Sequence, residues 1–437
     1  MTQEGGAYAM AGDGVTAEGP RILIVAEHAS AQFGGEAILP LHIFRRLRRR
    51  GFDVRLVVHG RSRRELEALF PDDLDRLHFI SDSLTHYVLY RLGIWLPDRI
   101  SYFSTGHLSR LLTALAARRL ARRLVQEHKI DVVHQPIPVS PREPSMLYDL
   151  GAPVVIGPMN GAMSYPPAFQ SRQSAFVTAY LSFGRFVSGI LNRVMPGKLK
   201  ADVLLVANER TRDALPSGTR GSVQTMIENG VDLAVWSPPE TPPPSGGPLQ
   251  AVFVGRLIDC KAVDLLLESF RNLVSTTPAR LVVAGDGRLR SRLERQAAEM
   301  GLADVVKFVG WLTQEDCAEL LRRSDVLILP SLHECGGAVV LEAMATALPV
   351  VVADWGGPAD YVDETCGVLV PPTSREEFIA GLTSALDRLA RSPELRRQLG
   401  RAGRDRILRE YDWDEKIDRL LEVYEPLVRA RRVWSRS

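Results

Sequence analysis

Short runs of β-branched and apolar residues recur along this chain, and segments with the spacing of amphipathic helices separate them. Parallel strands need a connection of helical length between them, so this alternation predicts an α/β protein with doubly wound parallel sheets. The predicted strands are residues 21–26, 53–58, 77–80, 131–134, 153–156 and 203–206 in the first half and 250–254, 280–284, 305–309, 326–329, 349–353 and 367–370 in the second, with helical patterns such as 36–50 and 109–128 between them.

The two sets of strands indicate two domains. At 437 residues the chain is too long for one ordinary hydrophobic core. Residues 238–248 are too rich in proline for a helix and too many for a tight turn, so they are interpreted as a connection. The expected layout is a disordered leader at 1–20, a Rossmann-like domain at 21–235, a linker at 236–249, a second Rossmann-like domain at 250–402, and C-terminal helices at 403–437 that pack back toward the first domain.

Composition narrows the classes of protein that remain. The four cysteines are scattered without paired metal spacing, so reduced thiols are expected and a structural zinc site is not. No apolar segment approaches the roughly 20 residues of a membrane span, and the first 20 residues lack the basic-then-apolar pattern of an export signal. These features predict a cytoplasmic protein.

Basic residues outnumber acidic ones between residues 21 and 200, although the net charge of the whole chain is only +2. They concentrate in the helical patterns 36–50 and 109–128, and a strongly apolar stretch follows at 175–195. Such segments are typical of helices on an anionic membrane surface, and equally of helices with one core face and one solvated arginine face. Peripheral attachment to the inner membrane face is therefore one of two alternatives. The basic half contains no recognisable nucleic-acid-binding module, so nucleic acid is not an expected partner.

Glu334 and Glu342 mark the loop and helix that follow the predicted strand 326–329. The order strand, glycine-bearing loop, helix places Glu334 at the carboxyl edge of a sheet and Glu342 within the helix. Gly336 and Gly337 allow backbone amides at the helix start to approach an anionic ligand. A phosphate-bearing sugar fits this pattern, because its hydroxyls need carboxylate acceptors and its phosphates need amides. The alternative is that both glutamates are ordinary solvent-facing residues of the connection.

Two cations follow the first strand of the second half. Arg256 lies at the strand end and Lys261 near the next helix start, where they could flank a diphosphate and neutralise its developing charge. The alternative is a surface ion pair with Asp259 or Asp264. In the first half, the paired glycines Gly34 and Gly35 follow the first strand and provide for close approach of phosphate in the same way.

Three further residues of the first half are candidates for sugar contacts. His134 ends a predicted strand and is expected to point into the cleft between the domains, where ligands of open parallel sheets bind. Asn160 and Tyr165 belong to a turn-rich loop after the next strand and could face an acceptor; loop structure alone also explains that composition. Asp73 and Asp75 have the spacing of a manganese motif but are interpreted as a solvated turn, so no metal is expected.

Together these motifs resemble the signature of family 4 retaining glycosyltransferases, which are group 1 enzymes of the GT-B fold. The similarity rests on Glu334 and Glu342 with Ala343-Met344-Ala345, on Gly255-Arg256-Leu257 and on Lys261, and it extends from Arg21 to Tyr411-Asp412-Trp413. The resemblance implies two Rossmann-like domains facing across a cleft, with the acceptor on the first and the nucleotide-sugar donor on the second.

By the same resemblance, Glu342 grips the donor ribose, Glu334 and His134 lie by the transferred sugar, and Arg256 and Lys261 hold the diphosphate. Donor binding would also involve the loop with Gly34 and Gly35 and the segment with Gly336, Gly337 and Val339. The chain departs from the family at three positions. Gly336 stands where the family often has phenylalanine, and Ala262 and Ala347 stand where it usually has glycine.

The implied activity is transfer of a sugar, with retention and without a metal or cofactor, from a nucleotide-diphosphate sugar to a saccharide or lipid-linked saccharide, in polysaccharide or glycolipid assembly. A nucleotide-sugar epimerase of the same fold and a non-catalytic sugar-binding protein are the alternatives. A nicotinamide dehydrogenase is disfavoured, because Gly285-Asp286-Gly287 lacks the third glycine of the dinucleotide fingerprint.

Overall fold

The protein is described by a computed structural model that covers residues 19–32, 35–94, 107–172, 187–241 and 246–434. Most of the expected leader at 1–20, the part of the apolar stretch between residues 175 and 186, and the middle of the linker lie outside the described residues. The predicted α/β class with two parallel sheets is confirmed.

The first sheet contains seven parallel strands in the order β3-β2-β1-β4-β5-β6-β7. Its central strands are buried on both faces, and every residue of Ile22–Val25 is inaccessible. The sequence prediction missed its last edge strand, because that strand has mostly exposed side chains and so no apolar signal. The strands are β1 Ile22–Val25, β2 Val54–His59, β3 Leu77–Ile80, β4 Val132–Gln135, β5 Val154–Met159, β6 Val203–Val206 and β7 Ser222–Thr225.

The second sheet contains six parallel strands in the order β10-β9-β8-β11-β12-β13. Strands β8 and β11 are neighbours at its centre, so the loops that follow them meet at one edge of the sheet. The strands are β8 Leu249–Val254, β9 Ala279–Ala284, β10 Val306–Gly310, β11 Val326–Leu329, β12 Val350–Ala353 and β13 Gly367–Val370.

Helices connect the strands of both sheets and pack on their faces. Residues 187–194 are also helical. The helices of the first domain are α1 Ile38–Arg49, α2 Arg63–Leu69, α3 Leu84–Ile94, α4 His107–Glu127, α5 Gly197–Lys200 and α6 Glu209–Asp213. Those of the second domain are α7 Val263–Val274, α8 Arg290–Glu299, α9 Gln314–Arg322, α10 Ala338–Ala345, α11 Gly357–Tyr361, α12 Arg375–Arg391 and α13 Pro393–Glu410, and α14 Trp413–Trp434 follows.

The C-terminal helix α14 belongs to the core of the first domain. Its buried residues Trp413, Ile417 and Tyr424 pack in one hydrophobic cluster with Ile22 and Leu41. The expected boundary at residue 403 falls inside α13, which still packs on the second domain. The chain instead returns to the first domain after α13, where Asp412 forms a β-bridge with Val231.

Arginines of α1 and of its C-terminal cap pair with other groups of the protein. Arg46 is buried and lies beside His42 and Asp232, Arg48 binds Asp73, and Arg50 binds Asp418. Helix α1 is therefore a core helix with internally paired arginines, as the second interpretation of its basic pattern expects. Within the described part of the chain, no helix has both the length and the apolarity needed to cross a bilayer.

Candidate active site

Glu334 and Lys261 form an ion pair at the carboxyl edge of the second sheet. Glu334 lies in the loop between β11 and α10, and Lys261 ends a short 3-10 helix after β8. Because the two strands are neighbours, their loops bring the carboxylate and ammonium groups together. The alternative partners of Lys261 are occupied elsewhere, since Asp264 binds Arg172 and Asp259 binds Arg288.

Arg256 lies on the same edge of the sheet. It is exposed, and its side chain makes no hydrogen bond or ion pair with any residue that the structure describes. Its place is shown by Cys260, whose thiol pKa is raised mainly by burial and is also affected by the charges of Lys261, Glu334 and Arg256. Two cations and one carboxylate thus surround one loop, which is the arrangement expected for a diphosphate-bearing ligand.

The start of helix α10 is open to an anion. Gly337 occupies the left-handed region with φ 79° and ψ 55°, and no side chain caps the helix end. The first amides of a helix lack intrahelical partners, and the positive end of the helix dipole favours an anion there. Val339 lies in this first turn, so the predicted donor-binding segment and the ion pair share one corner of the cleft.

Gly336 has a packing reason that the sequence does not reveal. A β-carbon on this residue would collide with the Asn229 amide and lie 2.6 Å from Glu228 Oε1. The phenylalanine that related sequences often have here does not fit unless this buried polar cluster moves. Glycine at position 336 therefore leaves room for Asn229 and Glu228 where the two domains meet.

Glu342 lies in the second turn of α10 with a partly accessible carboxyl group. Burial raises its pKa from 4.5 to about 7. No described residue donates a hydrogen bond to this carboxylate or forms an ion pair with it. A half-buried acceptor without a protein donor is well suited to the hydroxyl groups of a ligand.

The glycine pair of the first domain is only partly described, because Gly34 lies outside the described residues. Gly35 is exposed at the start of a 3-10 helix, with open space where a side chain would project. The next residue, Glu36, accepts a hydrogen bond from the Val139 amide and carries a charge that contributes to the raised pKa of Cys335. Burial is the largest cause of that rise. The charge effect indicates that the first-domain loop lies close to the Glu334 loop.

His134 does not face the cleft, and this prediction is wrong. The side chain is completely buried; Nε2 donates to the Gly157 carbonyl at 2.6 Å, and Nδ1 accepts from the Tyr424 hydroxyl at 2.7 Å. Burial lowers its pKa to about 4, so the imidazole is neutral with both nitrogens occupied. The cause is helix α14, which covers the end of β4 on the side where a sugar was expected.

Asn160 is likewise not available to an acceptor in this structure. Its amide donates to Glu228 Oε1 at 2.9 Å and to the Cys335 carbonyl at 2.7 Å, while its Oδ1 accepts from Asn208. Asn160 therefore joins the two domains. The other acceptor candidate, Tyr165, is partly buried at the cleft, where its ring packs against His333 at 5.1 Å between centroids.

The contacts between the domains form a polar cluster that the sequence analysis missed. Asn229 donates to Tyr361 Oη at 2.9 Å, and Arg210 binds Asp360 at 2.6 Å. Burial raises the pKa of Glu228, which stands at the centre of this cluster. Nothing in the local sequence around Asn229 indicates that its side chain meets Tyr361.

Asp73 forms ion pairs with two arginines, which occupy its carboxylate. Arg48 Nη2 donates to it at 2.6 Å, and Arg76 Nε lies 3.5 Å away. Among the residues that the structure describes, no group of three or more His, Cys, Asp or Glu side chains is arranged to hold a metal ion.

Solved structures with the same architecture define the class of fold. Sucrose-phosphate synthase from Thermosynechococcus elongatus superposes with a TM-score of 0.63 at 19% identity over 94% of this chain and 100% of that chain. WaaG, a glycosyltransferase involved in lipopolysaccharide biosynthesis, superposes with a TM-score of 0.58 at 17% identity over 92% of this chain and 99% of that chain. The fold is therefore GT-B.

Residues 239–406 match the family described as "Glycosyl transferases group 1". Glycogen synthase from Mycobacterium tuberculosis is 32% identical over 48% of this chain and 50% of its own length. D-inositol 3-phosphate glycosyltransferase from Saccharomonospora viridis is 35% identical over 51% of this chain and 53% of its own length. The chain spans about half the length of these curated relatives.

Proposed function

We propose that this protein transfers a glycosyl group, with retention of anomeric configuration and without a metal, from a nucleotide-diphosphate sugar to a saccharide or lipid-linked saccharide. The observation that carries the proposal is the corner of the cleft formed by Lys261, Glu334, Arg256 and the open start of α10. The Anabaena protein HepE, which has the same fold with a TM-score of 0.59 at 14% identity over 93% of this chain and 99% of that chain, was solved in complex with UDP-glucose. That complex supports a nucleotide sugar as the donor here.

In the proposed reaction the bond between the anomeric carbon and the diphosphate oxygen breaks, and its electron pair leaves with the diphosphate. Arg256 and Lys261 stabilise the negative charge that develops on the departing group. The acceptor hydroxyl attacks the same face of the sugar, and its proton passes to the departing phosphate oxygen. Glu342 accepts hydrogen bonds from the ribose hydroxyls and so fixes the nucleotide before this step.

The ion pair between Lys261 and Glu334 is compatible with donor binding. An ammonium group has three donors, so Lys261 can bind Glu334 and still offer hydrogen bonds to phosphate oxygens. Glu334 would then be held beside the sugar by the same cation that binds the diphosphate. Because Lys261 couples two loops that are distant in sequence, its loss should impair the reaction directly.

The first experiment is a donor screen that measures release of nucleoside diphosphate from a panel of nucleotide sugars in the presence of mixed saccharide acceptors. One donor should be consumed, and NMR of the product should show the anomeric configuration of the donor. A chelator should leave the rate unchanged. An inverted product would overturn the retaining mechanism, and conversion of donor alone to an epimeric nucleotide sugar would favour an epimerase.

A pair of variants ties the activity to the site. Lys261→Ala should lower the transfer rate by about 10²–10³-fold, as loss of one transition-state donor does elsewhere. Arg271→Ala is the control, because Arg271 is an exposed cation of the same domain that makes no contact with the site. Equal activity of the two variants would rule out the proposed role of Lys261.

A lipid-linked acceptor would place the reaction at the inner membrane face. Helix α4 offers an exposed basic surface for this purpose, formed by Arg119, Arg122 and Arg123. Co-sedimentation with anionic vesicles at low salt should be lost in a variant with all three arginines replaced by glutamine. Failure of the wild type to sediment under these conditions would remove this part of the proposal and leave sugar transfer intact.

A further inference from the structure

A cavity of about 280 Å³ lies at the carboxyl edge of the first sheet, apart from the charged corner of the second domain. Its walls come from the ends of β1, β3 and β4, from one face of helix α4 and from the loop that follows β4. Most of the lining is apolar, and the principal apolar contributors are Val25, Ile80, Leu111, Ala114, Ile137 and Met146. A cavity of roughly 150 Å³ lined by such side chains is large enough for benzene, so this one can hold an apolar group of considerable size.

The outer rim of the cavity continues into exposed apolar surface. Leu108 at the start of α4 and Val194 both line the cavity, and they are 46% and 64% exposed. Helix α3, which packs against α4, adds exposed Leu84 and Val88. Exposed apolar residues that adjoin an apolar cavity indicate a route by which an apolar ligand enters from the surface.

Part of the lining of the cavity is polar. Glu27, at the end of β1, and the pair formed by Arg110 and Glu143 at 3.6 Å contribute to its lining. Burial raises the pKa of Glu36, and the charges of Glu143 and Glu27 raise it further, so these carboxylates are close to one another. Glu36 in turn affects Cys335, next to Glu334. These electrostatic effects lead from the polar residues of the lining through Glu36 to Cys335, which is next to the proposed reaction centre.

We propose that this cavity binds the apolar chain of an acceptor, an alkyl or isoprenoid group attached to the saccharide that receives the sugar. The chain enters past Leu108 and Val194, and the attached saccharide lies among Glu27, Arg110 and Glu143, facing the donor. This inference rests on the proposed glycosyltransferase function and specifies its acceptor. The polar groups alone would suit a free saccharide; the apolar cavity is what distinguishes the two kinds of acceptor.

Chain-length dependence is the direct test. Transfer from the identified donor is measured to methyl, butyl, hexyl and octyl glycosides of the same sugar, each below its micelle-forming concentration. KM should fall about fourfold for each added methylene group, the equivalent of about 0.8 kcal/mol, until the cavity is filled. A KM that is independent of chain length overturns the proposal.

A variant that fills the cavity provides the matched comparison. Ala114→Trp should raise KM for the octyl glycoside by about 30-fold or more, while KM for the methyl glycoside and for the donor stays within about twofold of wild type. Gln126→Trp places the same side chain at an exposed position of the same helix, away from the cavity and from the basic surface, and should change neither value. Thermal unfolding of both variants shows whether Ala114→Trp is folded, and Leu111→Gln serves as the cavity variant if it is not.

Direct binding separates failure of the cavity from failure of the proposed function. Calorimetry with octyl glycosides should show binding that Ala114→Trp abolishes, even if no donor is turned over. Transfer to saccharides without any such binding would keep the function and overturn the cavity proposal. A final measurement compares short-chain soluble glycosides with long-chain glycolipids in anionic vesicles; faster transfer in vesicles identifies a membrane as the source of the acceptor, and equal rates identify a soluble glycoside.

Discussion

The carboxyl edges of the two sheets are built from similar strands but differ in what packs over them. In the second domain, the loops after β8 and β11 bring Lys261 and Glu334 together and leave Arg256 exposed. In the first domain, the end of β4 is covered by helix α14, and His134 is bonded to Gly157 and Tyr424. A polar residue at the end of a parallel strand therefore indicates a site only where no distant part of the chain packs over it.

The largest expected effect tests the carboxyl edge of the second sheet. Arg256→Ala should lower kcat by about 10²–10³-fold, because a cation facing the departing diphosphate acts mainly in the transition state. The melting temperature should stay close to that of wild type, since the exposed Arg256 side chain makes no hydrogen bond or ion pair with the described residues. Steady-state kinetics with the identified donor and calorimetric unfolding provide the two measurements. A variant with normal kcat would show that Arg256 does not act on the departing diphosphate.

The next largest effect tests the end of β4 in the first sheet, which α14 covers. Substitutions here should change stability and not kcat. His134→Ala should destabilise the protein by about 2–4 kcal/mol, because it leaves a cavity and an unpaired Tyr424 hydroxyl in the core. Tyr424→Phe should cost about 1–2 kcal/mol through the loss of one buried hydrogen bond. Denaturant unfolding measures both. At a temperature where the variants are folded, kcat should be unchanged; a selective loss of kcat in Tyr424→Phe would return His134 to the site.

A smaller effect concerns Glu342, which is partly buried and yet has no protein partner for its carboxylate among the described residues. Its folded pKa of about 7 exceeds the unfolded value of 4.5, so the stability it contributes is complete below pH 4.5 and is lost as the pH rises through 7. Between pH 4.5 and 8 the wild type should lose roughly 1–2 kcal/mol relative to Glu342→Gln, a figure reduced for the partial exposure of the side chain.

The same titration should appear in donor binding. The ionised carboxylate accepts hydrogen bonds from hydroxyl groups more strongly than the protonated form, so the Kd of the nucleotide should rise in the wild type as the pH falls below 7. In Glu342→Gln the Kd should be weak and independent of pH across this range. Parallel pH profiles for the two proteins would exclude Glu342 from the nucleotide site.

The smallest effect sharpens the comparison within the second domain. Ala262 and Ala347 both have positive φ, 51° and 59°, at positions where related sequences usually have glycine. Ala347→Gly should stabilise the protein by about 0.5–1 kcal/mol, because relief of left-handed strain exceeds the added flexibility of the unfolded chain. Ala262→Gly should be close to neutral, since Ala262 is fully buried and its methyl group contributes packing. Unfolding free energies of the two variants check this difference.

Much of the fold follows from periodicity, because a strand buried on both faces must be apolar along its whole length. The four buried residues of β1 and of β11 are examples, and both strands were predicted within one or two residues of their observed bounds. Strand β7 escaped prediction because it lies at a sheet edge with exposed side chains and needs no apolar pattern.

Three of the candidate site residues lie in loops that follow adjacent strands. Arg256, Lys261 and Glu334 come together because β8 and β11 pair directly, and strand order follows from general rules of parallel sheets. Asn160 was misassigned because its partners, Glu228 and Cys335, are contributed by other segments of the chain, including the second domain. Such pairings depend on how two finished domains meet, which no local pattern encodes.

The sequence by itself determined the two parallel sheets, the presence of two domains and the residue types around Arg256, Lys261 and Glu334. Each of these depends on the spacing of residues that are close together in the sequence. The tertiary structure decided which strand ends stay open, which residue Lys261 binds and why position 336 must be glycine. The physical reason is that burial is a collective property: helix α14 packs over β4 through contacts between residues such as Tyr424 and His134, far apart in sequence.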